Sequence, residues 1–537
     1  MKWMNKTRQI DGYLMVLILL ALIFFVIYGY LSFITSRTDN IIFNSPDETA
    51  SYWAANNYYN NGNFTQFSEP SLVGGDIISP RSLRIVDNYL LPTGFLGMPW
   101  LYGSIAKLVN SNYVLPFLTP LFAVLGVLFF YLSLSFVFSK KASFLAAALL
   151  FLHPAWWYYA TRSMMPNVLF VALFMIGLYF FLRAIYREKN INYILSGIIL
   201  GLTLMVRAAE IIWVLPLFIL LSLFYIKKIN WTSIWLTPIF TITTMLPMFY
   251  YNNILFGSPF SLGYQLQPGI EVTNFNFLPY LLPFGVDYNI IKLHVAQYLR
   301  DIFYWQYILT IGGVGLLILS LYKSSKKYWM NIIAYILILI VVSGILFVYY
   351  GSWQFSDNPN PKAVTIGTSF VRYWLPIYIL LLPLVAIPIS KIFRKSTLAW
   401  GLISAALFIT VAGFAYSDVY KDKQEGIYAI ANTIEQYQEM SDIVTANTED
   451  NAIIISKKSD KIFFPKRDVI YDLYFDVDYS RVRSLIKSYP VYLWDWQHNV
   501  ETVNYLNTSI YNPANLMIVP AGVGYNNMSL YEIKINE

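Results

Sequence analysis

Residues Asn44 to Tyr59 read NSPDETASYWAANNYY, about ten residues beyond the end of the first long apolar run, Gly12 to Thr35. That run is long enough to cross a bilayer, so two adjacent carboxylates, Asp47 and Glu48, stand just past a membrane span. Pro46 suits the first turn of a helix, where its missing N–H would go unpaired in any case. Ser45 is a natural N-cap, and Glu48 three residues on completes a capping box. Trp53, Tyr58 and Tyr59 then give the predicted helix an interface-seeking character. Two readings of the carboxylates follow. They complement the positive end of a helix, each contributing about 0.3–1 kcal/mol, or they move protons at the membrane surface.

The composition frames that choice. Of 537 residues, 57% are hydrophobic and only 12% charged, half of what soluble domains carry. The absence of cysteine excludes a disulfide scaffold, thiol catalysis and cysteine-held metals. His153, His294 and His498 are far apart in the chain, so a histidine-rich metal centre is not expected. Aromatic residues reach 18%, as suits interfacial belts and sugar-contacting surfaces. The net charge of +7 follows membrane topology and implies no nucleic acid. The first apolar run is too long for a signal-peptide core and is read as a retained span.

Apolar stretches of 15 or more residues give eleven expected spans, near 12–35, 113–138, 142–160, 166–186, 192–206, 209–226, 231–251, 303–322, 328–350, 373–390 and 397–416. With that count, six basic clusters fall on one side: Lys2, Lys6 and Arg8; Lys140 and Lys141; Arg183, Arg187 and Lys189; Lys227 and Lys228; Lys323, Lys326 and Lys327; and Lys391, Arg394 and Lys395. The positive-inside rule makes that side cytoplasmic. Merging 192–206 with 209–226 would strand the clusters that follow outside. The expected protein is a polytopic α-helical membrane protein with a transmembrane domain over residues 1–416, large external loops at 36–112 and 252–302, and an extracytoplasmic α/β domain over 417–537. In that last domain, helices are expected at 425–445, 479–488 and 500–507, and extended segments at 452–457, 461–471, 490–496, 515–519 and 529–535. No P-loop, GxGxxG pattern or internal repeat is present.

Polar groups gather at the external ends of spans. They are His153, Arg162 and Asn167 around HPAWWYYATRSMMPN; Arg207 and Glu210 between the fifth and sixth spans; Tyr264, Asp287, Lys292 and His294 in the second loop; and Lys362 in the third, with Arg372 and Tyr373 at its end. Arg81 and Arg84 follow Asp47 in SPRSLRIVDNYLLP. Singly, each arginine is explained by snorkelling, and Arg207 with Glu210 by a local ion pair. Together, cations beside a hydrophobic slab suit a lipid-linked phosphate at the interface.

At these residues the chain resembles the GT-C glycosyltransferases. PDE after the first span looks like their acidic motif, and the likeness is to the branch of dolichyl-phosphate-mannose protein mannosyltransferases and lipid A aminoarabinose transferases. YATRSMMPNVLFVALFMIGLYFFLRA, SGIILGLTLMVRAAEIIWVLPL, NNILFGSPFSLGY and RYWLPIYILLLPL are further echoes, together covering roughly residues 10–395. Where the family often has aspartate in the fourth span, this chain has Asn167. The resemblance implies transfer of one sugar from a polyprenyl monophosphate, such as a dolichyl phosphate, to a protein, lipid or glycan hydroxyl on the external face. It places the general base at the first acidic position, Asp47, with Glu48 in support. Inversion at the anomeric carbon follows from a single displacement. Arg81, Arg84, Arg207 and Arg372 are the candidate phosphate partners, and a monophosphate leaving group implies no metal cofactor. The tryptophan-rich WWDYG signature of oligosaccharyltransferases is missing, LWDWQ at Leu493 to Gln497 being a poor match. The rival class is a transporter or flippase of lipid-linked sugars. Against it stand span interiors almost free of charge and the lack of repeated halves.

Overall fold

The structure, a computed structural model, describes residues 11–36, 41–187, 189–261, 263, 282–321, 326–354 and 364–536. Its contacts divide it into two compact units. The first joins Met1–Ser32, Phe117–Tyr250 and Glu271–Ala429, and the second joins Phe33–Pro116, Tyr251–Ile270 and Ile430–Glu537.

The first unit is helical. Among the described residues of the chain, six helices are long and apolar enough to cross a membrane: Gly12–Ile34, Asn112–Val137, Pro166–Arg187, Trp329–Gly351, Leu375–Ile392 and Thr397–Tyr420. The chain is thus an integral membrane protein. Two further stretches qualify only as bent pairs. Asn190–Val206 and Ala208–Phe224 meet at 119°, and Tyr288–Asp301 and Tyr304–Leu319 at 88°. All eleven apolar stretches contain helix, but the count of eleven crossings does not follow from helix length. The third stretch splits at His153 into Lys140–Leu152 and Pro154–Ala160, because Pro154 has no N–H to continue the ladder and starts a new helix instead. The fifth and sixth are parted at Arg207, whose backbone leaves the helical region (φ −151°, ψ 84°). The helix before that break is seated closely on Leu236–Phe256. A Cβ on Gly197 or Gly201 would come within 2.5 and 2.6 Å of Thr237 and Thr244, and the Thr237 and Thr241 hydroxyls donate to the carbonyls of Tyr193 and Gly197. Small residues four apart let two backbones approach where water cannot drive association.

The second unit holds two sheets. Strands β1 (Gln66–Phe67), β2 (Leu83–Val86) and β3 (Tyr89–Pro92) form an antiparallel sheet in the order β1-β3-β2. Asp87 and Asn88 turn the β2–β3 hairpin with φ of 50° and 65°, the pair of left-handed residues a two-residue hairpin turn requires. The larger sheet comprises β4 (Ile453–Ser456), β5 (Asp468–Tyr471), β6 (Val491–Trp496), β7 (Leu516–Tyr525) and β8 (Met528–Ile535), in the order β5-β4-β6-β8-β7. β4 runs parallel to β5 and β6, while β8 is antiparallel to β6 and β7. The expected extended segment 461–471 is instead a short helix, Asp460–Phe463, followed by β5. Phe463 and Ile462 are drawn off the strand path into the core.

Both faces of this sheet are buried, which is why β4 reads as unbroken isoleucine. Ile453, Ile455, Val491 and Leu493 face one cluster, with Val482, Leu485 and Tyr511. Ile454, Tyr492, Trp494 and Leu530 face the other, where they meet Ala50, Trp53 and Ala54 from helix Pro46–Asn61 and Leu83, Ile85 and Leu90 from the hairpin. The helix that carries Asp47 in its first turn is therefore docked on the C-terminal sheet.

Candidate functional site

Asp47 is held from two directions within the second unit. Ser45 caps helix Pro46–Asn61 from an extended backbone, its Oγ accepting the Asp47 N–H at 3.3 Å, as the N-cap expectation required. The helix ends at Gly62, in the left-handed region with φ 74°. Opposite the carboxylate, Ser82 Oγ donates to Asp47 Oδ1 at 2.8 Å. Ser82 itself adopts φ 65°, an uncommon conformation for a residue with a side chain. It is anchored there because its carbonyl accepts both the N–H and the hydroxyl of Thr93, at 3.2 and 3.1 Å. Glu48 is 2% exposed, whereas Asp47 is only partly covered.

The neighbouring arginines differ. Arg81 is committed to Asp460, whose side chain is fully buried. The Arg81 N–H donates to Oδ2 at 2.8 Å, Nε and Nη2 donate to Oδ1 at 2.9 and 2.5 Å, and Nη2 also donates to the Lys458 carbonyl at 2.8 Å. Lys461, one residue further on, donates its ammonium to the Asn44 carbonyl. The turn 458–461 thus grips the chain on both sides of the Ser82–Asp47 contact. Arg84 lies on β2, on the face away from Leu83 and Ile85. Burial lowers its pKa, and Asp76 acts in the opposite sense.

A second constellation belongs to the first unit, at the Arg207 break. Arg207 Nε and Nη2 lie 2.9 and 2.8 Å from Glu210 Oε1, and Nη2 donates to the Tyr350 hydroxyl at 3.0 Å. Tyr350 donates in turn to Glu210 Oε1 at 2.8 Å, and Trp213 Nε1 to Oε2 at 2.5 Å. The guanidiniums of Arg207 and Arg372 both lie against the ring of Tyr373, at 4.7 and 5.2 Å from its centroid, and Tyr373 stacks on Tyr350 at 4.5 Å. Arg372 also donates to Ser369 Oγ at 2.7 Å. Asn167 Nδ2 donates to the Arg372 carbonyl at 3.4 Å, while Arg162 Nη1 donates to the Tyr158 hydroxyl at 2.9 Å. Beside this cluster an apolar groove of about 400 Å³ is lined by Ile212, Leu282, Gly344, Ile345, Val348 and Tyr349. Tyr349 of the groove packs edge-on against Tyr350 of the polar cluster, their ring centroids 4.7 Å apart.

Residues 95–251 match the family described as dolichyl-phosphate-mannose-protein mannosyltransferase. Among solved structures, ArnT from Cupriavidus metallidurans bound to undecaprenyl phosphate aligns over 97% of this chain and 98% of its own, with a TM-score of 0.53 at 11% identity. The oligosaccharyltransferase of Archaeoglobus fulgidus in its apo form aligns over 89% of this chain and 69% of its own, with a TM-score of 0.52 at 13% identity. The fold is that of the GT-C glycosyltransferases. No curated protein matches this chain at the level of sequence. The archaeal relative has also been seen with an inhibitory peptide and a dolichol-phosphate, at the same TM-score of 0.52 and 13% identity over 89% of this chain and 69% of that one.

Within the GT-C frame, the residues singled out in the sequence fall into distinct sets. Arg162, Asn167, Arg207, Glu210, Arg372 and Tyr373 all belong to the first unit, and Asp47, Glu48, Arg81 and Arg84 to the second. His153 is 1% exposed and lies at the Leu152–Pro154 break, its Nε2 2.9 Å from Gln306 Oε1, while Gln306 Nε2 donates to the Tyr378 carbonyl at 2.7 Å. That is a structural role, tying a broken helix to its neighbours. Lys292 is exposed on helix Tyr288–Val295. Tyr264 and Lys362 lie outside the described residues. Ser82, Tyr350, Asp460 and Lys461 escaped the sequence reading, although each is adjacent in sequence to, or one contact from, a residue it singled out.

Proposed function

We propose that the protein is an inverting glycosyltransferase that moves a single sugar from a polyprenyl monophosphate to an acceptor hydroxyl on the extracytoplasmic face. The observation that carries this reading is the pair Arg207 and Arg372 on one tyrosine ring beside an apolar groove. Such a seat has what a lipid phosphate requires, fixed guanidiniums for the anion and a dry channel for the first isoprene units. ArnT, which shares the fold, was solved with undecaprenyl phosphate, and the archaeal relative with a dolichol-phosphate.

In the proposed reaction Asp47 accepts the proton of the acceptor hydroxyl as its oxygen attacks the anomeric carbon. The bond from that carbon to the phosphate oxygen breaks, and the electron pair leaves with the phosphate. Arg207 and Arg372 stabilise the charge gathering there, and no metal ion is assigned a part. Glu210 and Tyr350 keep Arg207 in place. The topology proposed with it has eleven crossings, a cytoplasmic amino end, and Asp47 and residues 417–537 outside.

Purified protein supplied with a polyprenyl-phosphate sugar and an acceptor tests the reading. Release of free polyprenyl phosphate with formation of a glycoside supports it, whereas lipid translocation without glycosidic product would make the protein a flippase. A tag at the carboxyl end that proves accessible only from the cytoplasm would refute the topology.

A further inference from the structure

The C-terminal sheet has a topological feature that the proposed chemistry does not use. β4 is followed by helix Asp460–Phe463, whose Ile462 and Phe463 lie on one face of the sheet, and β5 by helix Tyr479–Ile486, whose Val482 and Leu485 lie on the other. β6, the neighbour of β4, is followed by helix Val500–Leu506, whose Leu506 lies on the face opposite Ile462 and Phe463, so the connections after these two adjacent strands leave toward opposite sides. This opens a crevice beyond the carboxyl ends of β4 and β6, where open α/β sheets bind ligands.

That crevice is furnished. Lys457 directly follows β4, and its Nζ lies 3.0 Å from Asp495 Oδ2 near the end of β6. His498 Nε2 lies 3.1 Å from the same oxygen. The Asp495 side chain is 2% exposed, while Lys457 and His498 are 29% and 15% exposed, so a buried anion orients two partners that reach solvent. The His498 N–H donates to the Tyr531 hydroxyl at 2.7 Å, which fixes the loop. Phe475, with φ 58°, places its ring 4.4 Å from Lys457 Nζ. Flanking the cluster in the chain, Tyr474 and Trp496 are 77% and 59% exposed. Ser456, the last residue of β4, is fully buried, and its hydroxyl has no hydrogen-bond partner among the described residues.

We propose that this crevice is a saccharide-binding subsite that receives the glycan portion of the acceptor. Lys457 and Asp495 offset each other in charge, which disfavours a phosphate or an acidic ligand and suits a neutral polyol that both donates and accepts hydrogen bonds. Exposed aromatic rings provide faces on which the C–H side of a pyranose packs. The subsite also leads to Asp47. Lys458 gives its carbonyl to Arg81 at 2.8 Å, and Ser82, the next residue after Arg81, holds Asp47. The identity of the occupant as acceptor rests on the transferase reading; the binding of a neutral saccharide does not.

The test uses the full-length protein in detergent and saturation-transfer NMR with mannotriose, maltotriose, chitotriose and an anionic triuronate. At least one neutral trisaccharide is expected to bind, and Trp496→Ala and His498→Gln are each expected to weaken it on the order of ten-fold. Both positions reach solvent, so their variants fold. Asp47→Asn is expected to bind the trisaccharide normally. Absence of binding by every neutral probe, preference for the triuronate, or unchanged binding in both variants overturns the subsite. Loss of binding in Trp496→Ala together with no glycoside formed from any polyprenyl-phosphate sugar by the unaltered protein would instead remove the transferase reading and leave the subsite standing.

Discussion

Ser82 donates its hydroxyl to Asp47 Oδ1 across 2.8 Å from a backbone held at φ 65°. Left-handed backbone costs a residue with a Cβ about 1–3 kcal/mol, a cost that persists where surrounding structure fixes it. Here two bonds from Thr93 fix it. Replacing Ser82 by glycine should therefore relieve the backbone while removing the hydroxyl. Stability should hold or rise, and kcat should fall about ten-fold or more, since a hydrogen bond to a charged group is worth about 1.5–3 kcal/mol. Ser82→Ala should lose the same activity without the gain in stability. Thermal unfolding and initial rates decide it: a fully active Ser82→Gly would show that the contact has no part in catalysis.

Arg81 and Asp460 make the connection between the first loop and the C-terminal segment. Truncating one partner of a buried pair costs about 3–5 kcal/mol, because the other charge is left uncompensated. Arg81→Ala should accordingly lower the melting temperature sharply, and the Arg81→Ala, Asp460→Ala double variant should be less destabilised than the two singles combined. Arg81→Lys should leave the apparent affinity for donor unchanged. A large rise in donor KM with an intact melting temperature would return Arg81 to the phosphate-binding set.

How much of this was legible in the chain depends on range. The Ser45 cap, the proline start and the long apolar helices are local and were read correctly. The extended segments at 490–496 and 529–535 correspond to β6 and β8, but their neighbours in space did not show. Arg81 and Arg84 look alike in SPRSLRIVD, and nothing within ten residues marks Arg81 as the partner of an aspartate 379 positions away. Likewise the turn at 460–463 reads as strand because its apolar residues serve a core built partly from the first loop. The count of crossings was hidden for a related reason. Length predicts a span, but a proline after His153 and an extended Arg207 divide helices without changing mean hydropathy.

The donor seat gives its own predictions. A guanidinium grips phosphate through two parallel N–H groups, and an ammonium cannot reproduce that geometry. Arg372→Lys should weaken use of the polyprenyl-phosphate donor more than ten-fold, and Arg207→Lys likewise, with Arg84→Lys as the comparison from the second unit. In the groove, a Cβ on Gly344 would meet nothing within 4 Å. Gly344→Phe should therefore fold, fill the groove and raise the donor KM while sparing kcat at saturation. Near-neutral kinetics in all these variants would leave the groove and its arginines without a role in donor binding.

Chelation separates this chemistry from that of a pyrophosphate donor. With arginines facing a monophosphate leaving group, exhaustive treatment with EDTA should leave the rate unchanged, and added magnesium or manganese should not raise it. A rate abolished by EDTA and restored by one divalent ion would show that a metal carries charge here assigned to Arg207 and Arg372.

The sharpest expectation concerns the two adjacent carboxylates. Asp47 and Glu48 are bases of similar strength in water, so only their surroundings separate them. Glu48 is 2% exposed beneath the helix, where an incoming hydroxyl has no access, whereas Asp47 is partly open and oriented by Ser82. Asp47→Asn keeps the size and the ability to accept from Ser82 but removes proton acceptance, and loss of a general base typically lowers the rate by about 10²–10⁴. Donor binding and thermal stability should persist in that variant. Glu48→Gln retains an acceptor oxygen for its buried contacts and should cost stability more than rate. Measured on the same preparation, normal turnover by Asp47→Asn, or an inactive but stable Glu48→Gln beside an active Asp47→Asn, would reverse the assignment and make Glu48 the base.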